Sequence, residues 1–301
     1  MLRMISIPLM PWLPLPPDAV RWKLGTRSGL QAAAVGVAMM VALSAQTAWA
    51  VEQAGSAPAG EEVNTGQDPT RPVTRVEVGF KYQESDQRAV GGDSVQVLTI
   101  RADRMVPLRD GWVLGLRGDL PLSWDDTPSV DNPQHTRQFG LTDILIQGFL
   151  ITPTAGRWTA AFGTQVIFPT AAKAQMGTGK FQLVPSGVVK YDVGDWIPGA
   201  WTALLVRHAV DVGEAQANRP SVNQTIVQPF LNFDLPREWF LTFSPEMRYD
   251  WQRTDWYIPF NLEVGTMVTR RIMMSIEYNV AITKDLPLSK QDVEFRVGYF
   301  F

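Results

Sequence analysis

From Val73 to the last residue, apolar and polar side chains alternate with a period of two. Val76, Val78, Phe80 and Tyr82 share one parity, and Arg75, Glu77, Gly79 and Lys81 share the other. The final run repeats the pattern, with Val293, Phe295, Val297, Tyr299 and Phe301 set against Asp292, Glu294, Arg296 and Gly298. Successive side chains of a strand point to opposite faces, so such runs make a sheet with one apolar and one polar face. A soluble sandwich alternates in the same way. The decision therefore rests on how the strands are dressed.

Twelve runs of this kind follow one another, over 73–83, 95–107, 112–124, 138–151, 158–168, 181–191, 201–212, 222–234, 239–251, 256–268, 272–281 and 292–301. Short turns such as Thr152–Arg157 and Leu235–Arg237 take turns with longer polar connections such as Asp125–Arg137 and Thr170–Lys180. Short turns at one end and long loops at the other mark an outer-membrane barrel. Trp112, Trp124, Trp158, Trp196, Trp201, Trp239, Trp251 and Trp256 all fall at run ends or in turns, where a membrane interface holds an amphipathic ring. A run of about 10 residues, tilted about 40°, covers roughly 25 Å of apolar thickness. The spacing predicts an all-β fold: a closed antiparallel transmembrane barrel of about twelve strands, with short periplasmic turns and longer extracellular loops.

Residues 1–50 read as a secretory leader. Arg21, Lys23 and Arg27 precede the apolar run Leu30–Leu43, and Ala48-Trp49-Ala50 supplies a small-residue cleavage site near Ala50. The apolar run is too short to span a bilayer, which needs about 20 residues. Val51–Pro72 is rich in Ala, Gly, Glu, Gln and Pro and is expected to be disordered, leaving 73–301 as the barrel. Loss of the leader removes four bases and one acid, so 23 bases face 29 acids. That balance leaves no electrostatic case for nucleic acid as a partner. The chain has no Cys and two His, which excludes a thiolate nucleophile and a thiolate metal site and predicts no cofactor.

The polar parity is charged, and a midplane Arg or Lys against lipid costs roughly 2–4 kcal/mol. These residues are therefore expected to face the lumen. The bases are Arg75, Lys81, Arg101, Arg117, Lys190, Arg207, Arg248 and Arg296. The acids are Glu77, Asp103, Asp119, Asp143, Asp211, Asp234, Glu246, Asp250, Glu263, Glu277 and Glu294. Eight bases against eleven acids predict a mild bias toward cations or neutral solutes. Pro245 and Pro259, on adjacent runs, each lack an N–H for the ladder and fit either bulges near a rim or, as a sharper alternative, one weak seam of the wall. Such a seam would let apolar solutes leave sideways.

The terminal FRVGYFF ends on Phe301 and resembles the recognition signal of outer-membrane barrel assembly. Further stretches, FGLTDILIQGFL, FGTQVIFPTA followed by LVPSGVVKYDV, EWFLTFSPEMRYDW and WYIPFNLEVGTM, resemble the outer-membrane family labelled as putative transporters of the MetA (meta-cleavage) pathway of phenol degradation. Thr142 and Phe260-Asn261 depart from that family's usual residues. The resemblance spans about 138–301 and implies a barrel of this type more firmly than any one substrate.

Three function classes follow. The first is a porin-like channel or transporter in the outer membrane of a Gram-negative bacterium, passing small solutes, aromatic or hydrophobic compounds among them. The second is a closed structural or surface-interaction barrel, and the third a lipid-modifying enzyme. Enzymatic chemistry is not expected. His135 lies in a polar loop, His208 shares the apolar parity of Leu204 and Val206, and no Ser sits opposite it. Glu246 and Asp250 flank Arg248 on one face, which fits a neutralised charge row rather than a glycosidase pair. The expected partners are outer-membrane lipid and lipopolysaccharide, the barrel-assembly machinery and a small-molecule solute.

Overall fold

A computed structural model of the chain describes residues 64–84, 94–129, 132–214, 219–283 and 289–301. The leader and residues 51–63 of the segment after it lie outside the described residues. The strands are β1 (Arg75–Glu84), β2 (Ser94–Pro107), β3 (Val113–Asp125), β4 (Gln138–Leu141), β5 (Ile144–Ile151), β6 (Trp158–Phe168), β7 (Lys180–Asp192) and β8 (Ala200–Glu214). They continue as β9 (Asn223–Leu235), β10 (Trp239–Phe243), β11 (Met247–Asp250), β12 (Asp255–Tyr257), β13 (Pro259–Thr269), β14 (Ile272–Ala281) and β15 (Gln291–Phe300). Three short breaks divide single crossings into β4/β5, β10/β11 and β12/β13, so fifteen segments make twelve antiparallel strands. These follow the twelve alternating runs to within two residues at almost every end.

Each strand pairs with its sequence neighbours, and the cylinder closes between first and last. Arg75 of β1 lies opposite Phe300 of β15, and the register continues without a shift to Glu84 opposite Gln291. Among the described residues every crossing has a backbone-paired neighbour on each side over at least part of its length, which closure alone achieves for antiparallel sheets. The connections 108–112, 152–157, 193–199, 236–238 and 270–271 gather at the end where β1 begins and β15 finishes. The longer ones gather at the other end, with one tight exception, Trp251–Thr254.

Apart from register shifts at Phe181/Gln182 and Met267/Thr269, side chains of one parity on each strand point outward. Val76, Val78, Phe80, Ile100, Leu116, Leu120, Ile146, Phe162, Val189 and Leu204 form an exposed apolar belt. An uninterrupted belt of this kind is stable only in an apolar surrounding. Aromatic pairs sit at its rims, such as Trp124 with Phe139 at 4.8 Å and Tyr249 with Trp256 at 4.9 Å between ring centroids. Trp201 departs from the rim pattern. It faces inward and is buried, and the Lys190 ammonium lies 5.3 Å from its ring centroid.

The segment ahead of β1 also departs from expectation. Residues 64–72, expected to be disordered, run inside the cylinder. Thr65, Asp68 and Thr70 are buried, and Asp68 closes a tight turn by accepting from the Thr70 amide (2.8 Å) and hydroxyl (2.7 Å). The polar composition that denies this stretch a hydrophobic core suits a polar lumen. Gly66 has φ +76° and lies where any side chain would strike Arg75. Gly115 of β3 leaves room for Pro72, which a side chain there would press upon.

Candidate functional site in the barrel lumen

The inward parity of β1–β3 carries a continuous lattice of ion pairs. Arg101 grips Asp119 with Nε and Nη2, both at 2.9 Å, and reaches Glu77 with Nη1 at 3.2 Å. Arg117 donates to both oxygens of Asp103, at 2.7 and 3.2 Å, and Arg75 shares that carboxylate at 2.8 Å. Cross-strand register explains the set, since Glu77, Arg101 and Asp119 are direct partners, as are Arg75, Asp103 and Arg117.

The lattice continues on β13–β15. Glu263, Glu277 and Glu294 occupy one register level, and Arg296 is set among all three. Lys81 meets Glu294 at 3.1 Å and Asp292 at 3.9 Å. A third group lies across the lumen, where Glu246 joins Arg207 (2.6 Å) and Arg248. Neither Glu246 nor Asp250 is arranged as a catalytic carboxylate. Glu246 is held by two guanidinium groups, while Asp250 accepts from Gln224 and from the amides of Gln252 and Arg253.

Two residues grouped with the lumen charges, Asp143 and Asp250, serve other ends. Asp143 lies between β4 and β5 and anchors the 169–179 connection, accepting from the amides of Ala171 (3.2 Å) and Thr178 (2.7 Å) and from the Thr178 hydroxyl (3.0 Å). Asp250 holds the tight 251–254 turn. Asp234, one residue from the end of β9 at the short-turn end, keeps the inward parity of Asn232, from which it accepts at 2.9 Å. Parity fixes the face of a strand residue and says nothing of depth, so it misplaces Asp143 and Asp250, whose oxygens go to turn and loop amides. His208 takes the outward parity and meets the Thr225 hydroxyl at 3.0 Å.

The counted excess of acids is not what the lumen presents. Side-chain exposure is 23–35 % for Arg101, Arg117, Lys81 and Arg248, against 3 % for Glu77 and Glu263, 8 % for Asp103 and 14 % for Asp119 and Glu277. At these four positions long basic side chains reach over shorter acidic ones, while Arg75, Lys190, Arg207 and Arg296 lie as deep as the acids. Glu246, at 29 %, and Asp211, at 23 %, are acids that reach the surface, Glu246 between two arginines.

The wall facing this lattice is apolar. Phe149, Ile151, Ala161, Val188, Trp201, Ala203 and Leu205 from β5–β8 pack into one buried cluster, joined by Val113 and Phe230. This inward apolar cluster is absent from a reading by parity, because Ala161, Ala203 and Phe149 interrupt no charge row and look like gaps. The entering segment bridges the two walls. Gln67 donates to Glu263 at 3.2 Å on one side, and Lys190 pairs with Asp68 on the other. With the segment in place a cavity of about 320 Å³ remains, lined by residues of both walls and by Gln67, Asp68 and Pro72.

The proline seam is visible as a gap in the ladder. Between Thr242 opposite Glu263 and Arg248 opposite Tyr257, the adjoining crossings exchange no backbone pairing. Side chains bridge the gap instead. Asn261 accepts across it from the Ser244 amide at 3.0 Å and hydroxyl at 3.1 Å, while on the other side of the same crossing Gln228 of β9 donates to the Ser244 carbonyl at 3.2 Å. Phe243 and Phe260 close it from outside, with ring centroids 5.6 Å apart.

No protein-family model matches the sequence, and no characterised protein matches it significantly. Solved structures do match the fold. The COG4313 outer membrane channel from Pseudomonas putida F1 superposes with a TM-score of 0.65 at 11 % identity, over 82 % of this chain and all of that one. The NanC porin superposes at 0.51 with 10 % identity, over 75 % of this chain and 98 % of that one. Outer membrane phospholipase A from Escherichia coli reaches 0.47 at 10 % identity over 76 % of this chain and 92 % of that one, too loose a likeness to carry an inference. The fold shown is that of an outer-membrane β-barrel, as found in channels and porins.

Proposed function

We propose that the chain is an outer-membrane channel or transporter for small solutes, without enzymatic activity. The observation that carries this reading is the lumen cavity. Eleven of the twelve crossings contribute to it, and it persists beside the entering segment. A barrel with a purely structural role has no need of a charged cavity along its axis. The expected setting is the outer membrane of a Gram-negative bacterium after cleavage near Ala50, with both barrel termini periplasmic. Aromatic and hydrophobic compounds, which the resemblance to the phenol-pathway family suggests, fall within the proposed solute range. Planar-bilayer recordings test the reading. Stepwise conductance on insertion is expected, and the absence of any current would overturn it.

The gap in the ladder favours a second reading, in which apolar solutes leave through the wall between β10/β11 and β12/β13. The chain contains no other Cys to confuse a cross-link. Joining Ser244→Cys to Asn261→Cys should abolish protein-dependent transfer of an apolar dye into liposomes and leave ion conductance intact. Equal transfer by the cross-linked and reduced forms would exclude the lateral route.

A further inference from the structure

We propose that the lumen cavity selects organic anions that carry an apolar body. The proposal rests on the channel reading and adds the chemical class of the solute. Three observations converge on it.

The first is the layering of charge. On the β1–β3 wall of the cavity Lys81, Arg101 and Arg117 reach the surface while Glu77 and Asp103 lie behind them, whereas Arg207 across the lumen is deeper than its partner Glu246. A solute approaching the β1–β3 wall therefore meets bases first.

The second is unspent donor capacity. Asp103 takes Nε and Nη2 of Arg117, so Nη1 is the edge that carboxylate does not engage. Arg207 Nη2 goes to Gln228 (2.9 Å) and Glu246, while its Nε is buried without a hydrogen-bond partner among the described residues. Both printed contacts of Arg207 use Nη2, so its Nη1, like that of Arg117, is an edge those acceptors do not engage and can donate a charge-assisted hydrogen bond to an oxyanion.

The third is the position of the apolar wall relative to these two arginines. Arg117 lies opposite Gln147, with Phe149 two residues nearer the short-turn end on the same face. Arg207 has Leu205 at the same offset on its own strand, and Phe230 follows Gln228, the partner of Leu205, by two. All seven residues line the same cavity. Both arginines thus stand one side-chain layer above an apolar shelf. An anionic head held between them lays its body on Phe149, Leu205 and Phe230. The remaining volume, about 320 Å³, is at the small end of ligand cavities and suits a single ring or short chain.

Permanently charged probes separate this from an unselective pore. Benzenesulfonate, methanesulfonate and benzyltrimethylammonium would be titrated against potassium chloride current through the intact chain in planar bilayers. Benzenesulfonate should half-block at about tenfold lower concentration than either of the others, the equivalent of one charge-assisted hydrogen bond. Arg117→Gln and Arg207→Gln should each raise its half-blocking concentration about tenfold, with Arg117→Lys recovering part of the loss. Phe149→Ala should weaken block by benzenesulfonate and leave methanesulfonate unchanged. Heat-modifiable migration shows that each variant is folded, and the wild-type ranking tests the proposal without any variant. Equal block by all three probes, or strongest block by benzyltrimethylammonium, would overturn the proposal while leaving the channel reading standing. Absence of chloride and potassium current would overturn both.

Discussion

Lys190 of β7 holds Asp68, a residue that precedes the first strand, in an ion pair inside the barrel. The same ammonium lies over Trp201, so the entering segment is fastened to the apolar wall by charge and by a ring face together. Removing one partner of a buried pair costs on the order of 3 kcal/mol, because the other charge stays buried alone. Lys190→Met should therefore loosen residues 64–72. Single-channel recordings should show a higher mean conductance and new flicker between levels, and deletion of residues 64–72 should raise conductance further. Unchanged traces from both variants would show that the segment does not narrow the pore.

Arg248 provides one of the two counter-charges of Glu246. Arg248→Glu sets a second carboxylate beside it and leaves Arg207 as the remaining partner. Cation permeability relative to anions should rise, read as a shift of reversal potential across a salt gradient. Fixed charge acts strongly through a low-dielectric wall, and the shift should shrink in 1 M salt, where the screening length is about 3 Å.

The chain end is tied to the start of the barrel, the Phe301 amide donating to the Thr74 carbonyl at 3.1 Å, while its ring is exposed and packs edge-on to Tyr299. Exposure of a terminal aromatic leaves it available to the assembly machinery. Deletion of Phe301 should lower the heat-modifiable fraction in isolated outer membranes and raise the periplasmic, protease-sensitive fraction. Normal insertion would show that the terminal residue is dispensable.

The two faces should differ in their tolerance of charge. Ile146 is exposed on the outer belt and Gln147, its neighbour, faces the lumen. Ile146→Arg should cost roughly 2–4 kcal/mol in lipid, whereas Gln147→Arg should cost little. Urea unfolding in vesicles, followed by Trp fluorescence, measures both. Equal losses would mean that Ile146 does not face hydrocarbon.

The cylinder was legible in the sequence because a two-sided strand in a closed barrel has one permitted pattern, and the pattern fixes both face and length. Runs such as 158–168 and 272–281 match β6 and β14 end for end. What escaped is of two kinds. Asp143 and Asp250 lie near strand ends, where a carboxylate is as useful to a loop amide as to a lumen, and parity cannot choose. Residues 64–72 have the composition of a disordered tail, and their order comes from Lys190, Glu263 and Gly115, residues far away in sequence. The layering of bases over acids is likewise a matter of side-chain length against a curved wall.

The gap between Thr242 and Arg248 gives the barrel a mechanical direction. A bilayer that thins or thickens around a cylinder works on it by sliding its strands past one another, and the ladder resists the slide. Where two side chains replace a run of backbone pairs, the resistance is lowest and the displacement collects. Glu246 hangs from the middle of that stretch and carries Arg207 and Arg248 with it. On the channel reading, the width and charge of the lumen at that level should therefore respond to the thickness of the surrounding lipid.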